Sequence, residues 1–270
     1  MSQDKSSADK AQRSFRIPDP HDGENFTIIP GSLTVPLVLT CEHATSVIPP
    51  EYADLGLPRR LIDQHWGWDI GIWATVLRTA SRPRLTAIGT HVSRLLIDTN
   101  RDPDSPELVV EALGDHPIPG NRHLTRAERK ARLKRYHEPY HAAVERVLTT
   151  ALDYQPEGVL LIAMHSFTPE WEGQDRDFDL GLLFRDSADP ARQLGERLRR
   201  EGLRVRENEP YSGLRGEIYS CERHGRAQGI PHFEIELNQA ILKTEPKRRK
   251  LGDLLARVLP ELATTTCGVS

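Results

Sequence analysis

The segment 158–164 most constrains the fold of this chain, because every one of its residues is glycine or apolar. An uninterrupted apolar run of this length is typical of a strand that helices cover on both faces of a sheet. Further strands are predicted at residues 35–40, 85–89, 92–98, 178–184 and 231–237. Helical spacing predicts helices at residues 69–80, 124–152, 190–201 and 245–262. This alternation predicts an α/β fold, a three-layer αβα sandwich with a mixed, mostly parallel central sheet.

Composition limits the partners of the chain. The 36 Lys and Arg residues nearly balance the 39 Asp and Glu residues, giving a formal net charge of −3. This balance provides no electrostatic reason to expect nucleic acid or an anionic membrane surface as a partner. The longest apolar runs are far shorter than the ~20 residues of a membrane-spanning helix. We therefore expect neither nucleic acid nor a membrane as a partner.

Residue patterns also predict the organisation of the chain. Residues 1–22 are polar and mixed in charge, so we expect a flexible tail, followed by a single α/β domain at residues 23–265. The three cysteines are an odd number without paired spacing, which predicts neither a disulfide framework nor a zinc ribbon. The default location is therefore the reducing cytoplasm. The stretch 98–123 is the longest without periodicity, and such loops are usually functional or mobile.

Residues 137–141 have the H-E-x-x-H spacing of zinc proteases, in which one helical face presents both histidines to the metal. Here the third position is Pro139, which removes a backbone donor and costs ~3 kcal/mol inside a helix. We expect a kink that prevents His137 and His141 from projecting in parallel. The favoured interpretation of His137 is a surface histidine on a kinked helix.

Metal-binding residue types occur at the ends of three predicted strands. Glu42 and His43 follow the first strand, His165 ends another, and Glu234 and Glu236 lie within or at the end of the last. Ligand sites of α/β sheets gather at the carboxyl ends of strands, and two histidines with one carboxylate are a usual set for catalytic zinc. A loop position is the simpler interpretation of any one of these residues. Their coincidence at three strand ends favours a site.

The two late acids support the same interpretation. Glu234 and Glu236 share one face of their strand by the two-residue period. Two acids on one buried face are costly unless they are paired or bind a metal. A carboxylate that does not bind the metal can serve as general base for an attacking water.

Eight short motifs, in order from residue 41 to residue 236, resemble the N-formylglutamate amidohydrolase family. They are residues 41–44 (CEHA) with 48–49 (IP), 69–71 (DIG), 93–101 (SRLLIDTNR), 118–121 (IPGN), 139–141 (PYH), 165–169 (HSFTP), 208–212 (NEPYS) and 234–236 (EIE). The resemblance implies a zinc-dependent hydrolase with a fold similar to that of zinc exopeptidases. The implied activity is cleavage of the amide of a small N-acyl, or N-formyl, amino acid in amino-acid catabolism.

The resemblance also implies a metal centre. His43 and His165 match the two histidine motifs of the family and are expected to bind one divalent ion, Zn²⁺. Asp69 is the expected carboxylate ligand, and Glu42 is the alternative.

The remaining motifs imply catalytic and substrate-binding residues. Glu236 matches the general base, and Arg94 is the expected cation beside the oxyanion. Arg101 is the candidate clamp for a substrate carboxylate, although a salt bridge to Asp98 or Asp102 explains it nearly as well. The full set of candidate substrate-binding residues is Arg101, Asn100, His141, Asn208 and Tyr211.

The first motif departs from the family. Family members often carry P-H-S-G there, whereas this chain has residues 42–45 as Glu-His-Ala-Thr, which leaves the acyl group and the amino acid open. Two alternatives remain at this point. One is a zinc carboxypeptidase-like enzyme for larger peptides, which requires loop 98–123 to leave the pocket open. The other is a non-enzymatic, metal-free binding protein on the same fold.

Overall fold

The computed structural model describes residues 25–82 and 84–269, and the predicted tail at residues 1–22 lies outside them. The strands are β1 (Phe26–Ile29), β2 (Leu37–Cys41), β3 (Thr86–Thr90), β4 (Ala112–Leu113), β5 (His116–Pro117), β6 (Leu160–Phe167), β7 (Glu170–Trp171), β8 (Gln174–Asp175), β9 (Leu180–Leu183), β10 (Val205–Glu207) and β11 (His232–Asn238). The helices are α1 (Arg59–Ile62), α2 (Ile72–Ser81), α3 (Arg126–Arg132), α4 (Glu138–Tyr154), α5 (Ala188–Arg200), α6 (Tyr219–Gln228), α7 (Gln239–Leu242) and α8 (Glu245–Cys267).

Seven strands form the central sheet, in the order β1-β3-β2-β6-β11-β9-β10. The four strands β3, β2, β6 and β11 run parallel to one another. Antiparallel pairings join β1 to β3 and β9 to β11, and β10 runs parallel to β9. The predicted mixed, mostly parallel sheet is confirmed. Because β2, β6 and β11 are parallel neighbours, their carboxyl ends meet at one edge of the sheet.

Helices cover both faces of this sheet. Helices α2, α5 and α8 pack on one face, where Leu160, Ile162 and Met164 of β6 belong to the same apolar cluster. Helices α4 and α6 pack on the opposite face, which receives Leu161 and Ala163. By this alternation His165 points to the side of α4 and α6. Within the described residues, no helix is both long and apolar enough to cross a membrane.

The predicted strand at residues 92–98 is wrong, because this segment folds into turns. The Ser93 hydroxyl donates to the Gly67 carbonyl and accepts from the Leu95 amide, which curls the chain where a strand would continue. Leu95 and its two apolar successors are buried in a third apolar cluster. The apolar pattern therefore reports burial correctly, while the serine selects a turn.

The predicted helix at residues 124–152 is divided into two. Its predicted capping box is present, since the Glu128 amide donates to the Thr125 hydroxyl and the Thr125 amide donates to the Glu128 carboxylate. A π-helical turn, Leu133–His137, separates α3 from α4, and Pro139 lies in the first turn of α4. There the missing proline N–H requires no intrahelical partner.

Loop 98–123 packs against the body of the protein. It contains the β4–β5 hairpin, and its residues Leu108, Leu113 and Ile118 are buried in the third apolar cluster. The Asn121 side chain donates to the Leu95 carbonyl, which precedes the loop, and to the Val110 carbonyl within it. The start of this loop supplies Asp98, whose side chain is buried against the end of β2.

Candidate metal centre and active site

Three side chains meet at the carboxyl ends of β2 and β6. His43 lies two residues beyond β2, His165 lies within β6, and Asp69 precedes α2. The Asp69 amide donates to the His43 carbonyl at 3.0 Å. The Ser166 amide donates to Asp69 Oδ2, also at 3.0 Å. Backbone hydrogen bonds therefore fix the carboxylate of Asp69 between the two strands.

The distances among these side chains suit one metal ion. His165 Nδ1 lies 3.0 Å from Asp69 Oδ2 and 3.1 Å from His43 Nδ1. His43 Nδ1 and Asp69 Oδ2 are 3.6 Å apart, and all three side chains are buried. Ligand atoms around a tetrahedral zinc ion are separated by about 3.4 Å. Two histidines and one carboxylate thus satisfy the spacing and the donor chemistry of a catalytic zinc site.

Each histidine is oriented by a second carboxylate. His43 Nε2 donates to Asp98 Oδ1 at 2.7 Å, and His165 Nε2 donates to Glu42 Oε2 at 3.0 Å. These bonds leave the two Nδ1 atoms facing the same point. Carboxylate partners of this kind fix the tautomer of a metal-binding histidine and raise its basicity.

Glu42 lies behind His165, away from the other two ligand atoms. Its Oε1 accepts from the Tyr140 hydroxyl at 2.9 Å and from the Ser220 hydroxyl at 2.7 Å. Burial raises the pKa of Glu42, but the hydrogen bonds from His165, Ser220 and Tyr140 lower it to about 2. Glu42 is therefore an ionised carboxylate with its bonding capacity filled, and the geometry favours Asp69 as the carboxylate ligand.

Negative charge is concentrated at this edge of the sheet. The buried carboxylates are Glu42, Asp69, Asp98, Glu234 and Glu236. Burial lowers the pKa of His165, but Glu234 and the hydrogen bond to Glu42 raise it to about 9. The site therefore favours a positive charge on His165, either a proton or a bound cation. This preference is a further reason to expect a metal ion there.

The two acids of β11 have different surroundings. Glu234 Oε2 accepts from Asn100 Nδ2 at 3.5 Å and lies 3.7 Å from His165 Nε2, on the Glu42 side of that ring. Glu236 is paired in register with His165, and its Oε2 is buried without a hydrogen-bond partner among the described residues. Burial raises the pKa of Glu236 to about 8, with a contribution from Glu234. Glu236 is thus the acid with an unused oxygen.

A cavity of ≈ 130 Å³ adjoins Asp69. Its lining residues are His65, Trp66, Asp69, Arg94, Ser166, Phe167, Thr168, Trp171, Tyr211 and Gln239. Arg94 donates to Asp69 Oδ1, so the cavity begins directly beside the carboxylate of Asp69. A Cβ at Gly181 of β9 would collide with the Glu209 carbonyl, so this glycine permits the close approach of the segment that carries Tyr211.

Comparison with known proteins identifies the family of this chain. The model of the N-formylglutamate amidohydrolase family matches residues 35–242. The chain belongs to the N-formylglutamate amidohydrolase family. It is therefore a hydrolase that acts on amide bonds, as the eight motifs imply.

Two solved structures are similar to this amidohydrolase over nearly their whole length. One is the gene product Atu2144 from Agrobacterium tumefaciens, at 26% identity and a TM-score of 0.81, with 88% of this chain and 94% of that chain covered. The other is the N-formylglutamate amidohydrolase from Ralstonia eutropha JMP134, at 25% identity and a TM-score of 0.68, with coverages of 89% and 98%. A search of curated proteins gives no match.

Among the predicted substrate-binding residues of the amidohydrolase, Tyr211 lines the cavity, as does the predicted oxyanion cation Arg94. Arg101 does not line it, and its Nε donates to Glu107 at 3.0 Å. Asn100 lies outside the lining as well. Its Oδ1 accepts from the Ser220 amide at 2.9 Å, which ties the start of α6 to the site.

Asn208 and His141 also have partners elsewhere. Asn208 has a φ of 53° and accepts hydrogen bonds from the Phe184 and Gly213 amides, as expected of a turn residue. His141 is buried, with Nδ1 2.8 Å from His224 Nε2 and Nε2 donating to the Thr99 carbonyl.

The H-E-x-x-H motif does not form a metal site in this amidohydrolase. The rings of His137 and His141 lie 4.3 Å apart, but His137 Nε2 donates to the Arg101 carbonyl. Within the described residues, neither histidine belongs to a group with metal-binding spacing. The expectation that His137 lies on the surface is wrong, since its side chain is 1% exposed. The π-helical turn rotates it inward against the start of loop 98–123.

Several residues of the site were missed by sequence reasoning. From the sequence, Asp98 is expected only as a partner for an arginine, whereas its carboxylate accepts a hydrogen bond from His43. Tyr140 lies inside the P-Y-H motif, in which only His141 is expected near the site. The aromatic wall of the cavity, Trp66 and Trp171, follows from no spacing rule, because these residues come from loops and a short hairpin.

Proposed function

We propose that this chain is a metal-dependent amidohydrolase that cleaves the amide of a small N-acyl amino acid, such as N-formylglutamate. One Zn²⁺ would be held by His43, Asp69 and His165. The main observation in support is the convergence of three buried ligand atoms, all within 3.6 Å of one another, beside a cavity. The names of the family and of the Ralstonia eutropha relative support the N-formyl substrate.

The donor set fits zinc. Two imidazole nitrogens and one carboxylate oxygen are typical of catalytic zinc, and iron or cobalt would accept the same donors. When bound, such an ion supplies Lewis acidity and lowers the pKa of water to ~7. Asp98 and Glu42 hold the two histidines in the tautomer that presents Nδ1.

Glu236 is the proposed general base. Its buried Oε2 is free to accept a hydrogen bond, and its pKa of about 8 lies near neutrality. A group with such a pKa can both take and return a proton. In our proposal Glu236 takes the proton of the attacking water and later returns it to the nitrogen of the leaving amine.

Arg94 is the proposed cation at the oxyanion. Its guanidinium is half-buried, is bonded to Asp69 and lines the cavity. Its Nε is buried without a partner among the described residues. A fixed positive charge beside the cavity stabilises negative charge that develops on the substrate oxygen.

The size of the cavity supports a small substrate. At ≈ 130 Å³, with Trp66 and Trp171 in its wall, it is far below the ~300 Å³ of a typical pocket for a larger ligand. Loop 98–123 contributes none of the lining residues, so it does not decide access to this cavity. These observations favour an N-acyl amino acid over a peptide.

We also propose that the enzyme works in the cytoplasm. Cys41, Cys221 and Cys267 are free and buried. Unpaired thiols are typical of proteins in reducing compartments. Burial raises the pKa of Cys41 well above its usual value, which keeps this thiol protonated and unreactive.

The proposal is tested by metal analysis and a substrate panel. We expect about one zinc ion per purified chain and hydrolysis of N-formyl-L-glutamate in preference to its N-acetyl and N-succinyl analogues. A chelator should abolish hydrolysis, and added Zn²⁺ should restore it. Full activity in protein shown to be metal-free would contradict the metal dependence, and inactivity on the whole panel would contradict the substrate class.

A further inference from the structure

Arg176 lies against the wall of the cavity. It follows β8, and its guanidinium carbon lies 5.6 Å from the ring centroid of Phe167, 5.6 Å from that of Trp171 and 5.7 Å from that of Tyr211. All three rings line the cavity. Its Nη1 donates to the carbonyl and the hydroxyl of Thr168, another lining residue, at 3.3 and 3.2 Å.

This guanidinium lacks a carboxylate partner within the described part of the chain, which the other candidate arginines have. Arg94 is paired with Asp69, and Arg101 is paired with Glu107. The Arg176 side chain is only partly exposed. A partly buried cation without a counter-ion is costly, and an anionic ligand beside it would remove that cost.

The surroundings of Arg176 also suit the recognition of a planar anion. Aromatic rings hold the plane of a guanidinium and limit its hydration. Because Nη1 donates to Thr168, the edge formed by Nε and Nη2 is the one that offers two parallel bonds to a carboxylate. The five buried carboxylates of the metal centre would repel an anionic substrate. A cation across the cavity wall offsets that repulsion.

We propose that Arg176, supported by Phe167, Trp171 and Tyr211, binds a carboxylate of the amino-acid half of the substrate. The substrate class is therefore N-acyl amino acids with a free carboxylate that reaches this guanidinium. The proposal rests on the proposed amidohydrolase function. It transfers the role of carboxylate clamp from Arg101, which is paired with Glu107, to Arg176. Arg176 lies behind the lining residues and contacts four of them, Phe167, Thr168, Trp171 and Tyr211.

The test combines Arg176→Met with three substrates: N-formyl-L-glutamate, its side-chain amide N-formyl-L-glutamine, and its α-amide. We expect kcat/KM for N-formyl-L-glutamate to fall about 10- to 100-fold in the variant, mainly through KM, as for the loss of a hydrogen-bonded ionic contact. The wild-type enzyme should lose a similar factor on one of the two amides. On that amide Arg176→Met should cause little further loss. If it is the side-chain amide, Arg176 binds the side-chain carboxylate, and if it is the α-amide, Arg176 binds the α-carboxylate.

The controls separate substrate binding from folding. Arg192→Met on α5 removes a guanidinium that lies 5.5 Å from the Phe184 ring centroid and is paired with Glu207 of β10. This variant should leave KM unchanged. Arg176→Lys keeps the charge without the planar fork, so its KM should be intermediate. Zinc content and Tm are measured for each variant.

Two results would overturn the proposal while leaving the amidohydrolase function intact. One is an active Arg176→Met enzyme with wild-type KM for N-formyl-L-glutamate. The other is a wild-type enzyme that hydrolyses both amides as well as the diacid. A rise in KM in Arg101→Met alone would return the clamp to Arg101. A zinc-loaded wild-type enzyme that is inactive on all three substrates would instead refute the amidohydrolase proposal itself.

Discussion

The sheet edge and the loops around the cavity differ in whether their buried polar atoms have hydrogen-bond partners. At the sheet edge, both ring nitrogens of His43 and His165 have polar neighbours, and Glu42 accepts three hydrogen bonds. Around the cavity, Arg94 Nε and His65 Nε2 are buried without partners among the described residues. The sheet therefore holds its groups in one arrangement before any ligand arrives, while the loops keep bonding capacity for a ligand.

Among the five buried carboxylates, Glu236 is the exception. It lies in β11, the rigid part of the site, yet its Oε2 has no hydrogen-bond partner among the described residues. An unpartnered polar atom on a central strand is unfavourable for stability. Its presence there is expected if the atom takes part in a reaction. The following experiments test this division between the two regions.

The largest effect is expected from the histidines of the sheet edge. His43→Ala and His165→Ala should each lose bound zinc and nearly all hydrolysis while the fold is retained, because each removes one of three ligand atoms. Metal analysis and circular dichroism check this. Wild-type zinc occupancy in either variant would remove that histidine from the ligand set, and zinc retained in Asp69→Asn but lost in Glu42→Gln would make Glu42 the carboxylate ligand.

The next largest effect is expected from Glu236, the buried acid with an unpartnered oxygen. Glu236→Gln should keep zinc while kcat falls ~10²–10⁴-fold, because the general base is lost. Glu234→Gln is the matched variant two residues earlier on the same face of β11, and its effect on kcat should be smaller. Measured kcat and zinc content decide between them. A dead, zinc-loaded Glu234→Gln enzyme beside an active Glu236→Gln enzyme would exchange the two roles.

Glu42 should affect metal affinity through His165. Glu42→Gln keeps the shape of the side chain but removes the charge that orients His165 Nε2, so zinc affinity should fall about 10- to 100-fold. Competition with a chromogenic chelator measures this. Tyr140→Phe removes a single donor to the same carboxylate and should have a smaller effect in the same direction. Unchanged zinc affinity in both variants would mean that metal binding does not depend on the hydrogen bonds of Glu42.

Zinc binding should release a proton at neutral pH. The pKa of His165 is raised to about 9, so below that pH the metal-free side chain carries a proton that competes with the metal. The apparent affinity should therefore rise about tenfold per pH unit toward pH 9 and then level off. Calorimetry in buffers with different ionisation enthalpies counts the protons. Affinity independent of pH between about 6 and 8 would contradict a neutral His165 ligand.

The smallest effect is expected away from both regions. His137→Ala should leave zinc content and kcat/KM within a few-fold of the wild type, because His137 bonds to the Arg101 carbonyl and contributes no atom to the metal-binding groups. Its burial predicts a loss of stability, visible as a lower Tm. Loss of zinc in this variant would restore the H-E-x-x-H interpretation.

The sequence was sufficient to predict five of the seven strands of the central sheet, namely β2, β3, β6, β9 and β11, and the three side chains that meet at its edge. An apolar run such as residues 158–164 specifies a covered strand, and the polar residues that follow such runs meet wherever parallel strands are neighbours. The side chains of His43, Asp69 and His165 come together for this reason. The loops follow no such rule. The motifs favour Arg101 and give no signal for Arg176, and only packing shows that Arg176 contacts residues that line the cavity.

Local patterns were also overruled by tertiary contacts. The apolar alternation at residues 92–98 suggested a strand, but the Ser93 hydroxyl gives the backbone a turn. Pro139 suggested a distorted helix with an exposed His137. A π-helical turn precedes α4, so that Pro139 lies in the first turn of that helix. The ring of His137 is buried instead of exposed. Burial of a histidine depends on which segments of the chain cover it, and the spacing of residues 137–141 gives no information about those segments.

The separation of the ligand residues along the chain has a consequence for folding. His43 and His165 are 122 residues apart, and Glu42 bonds to Ser220 across 178 residues. No local segment can therefore assemble the three ligand atoms, and the complete site forms only once β2 and β6 have paired. A metal ion that requires all three atoms binds the native state alone and raises its stability in proportion to the logarithm of metal concentration. The time course of metal binding during refolding would therefore show when β2 and β6 pair.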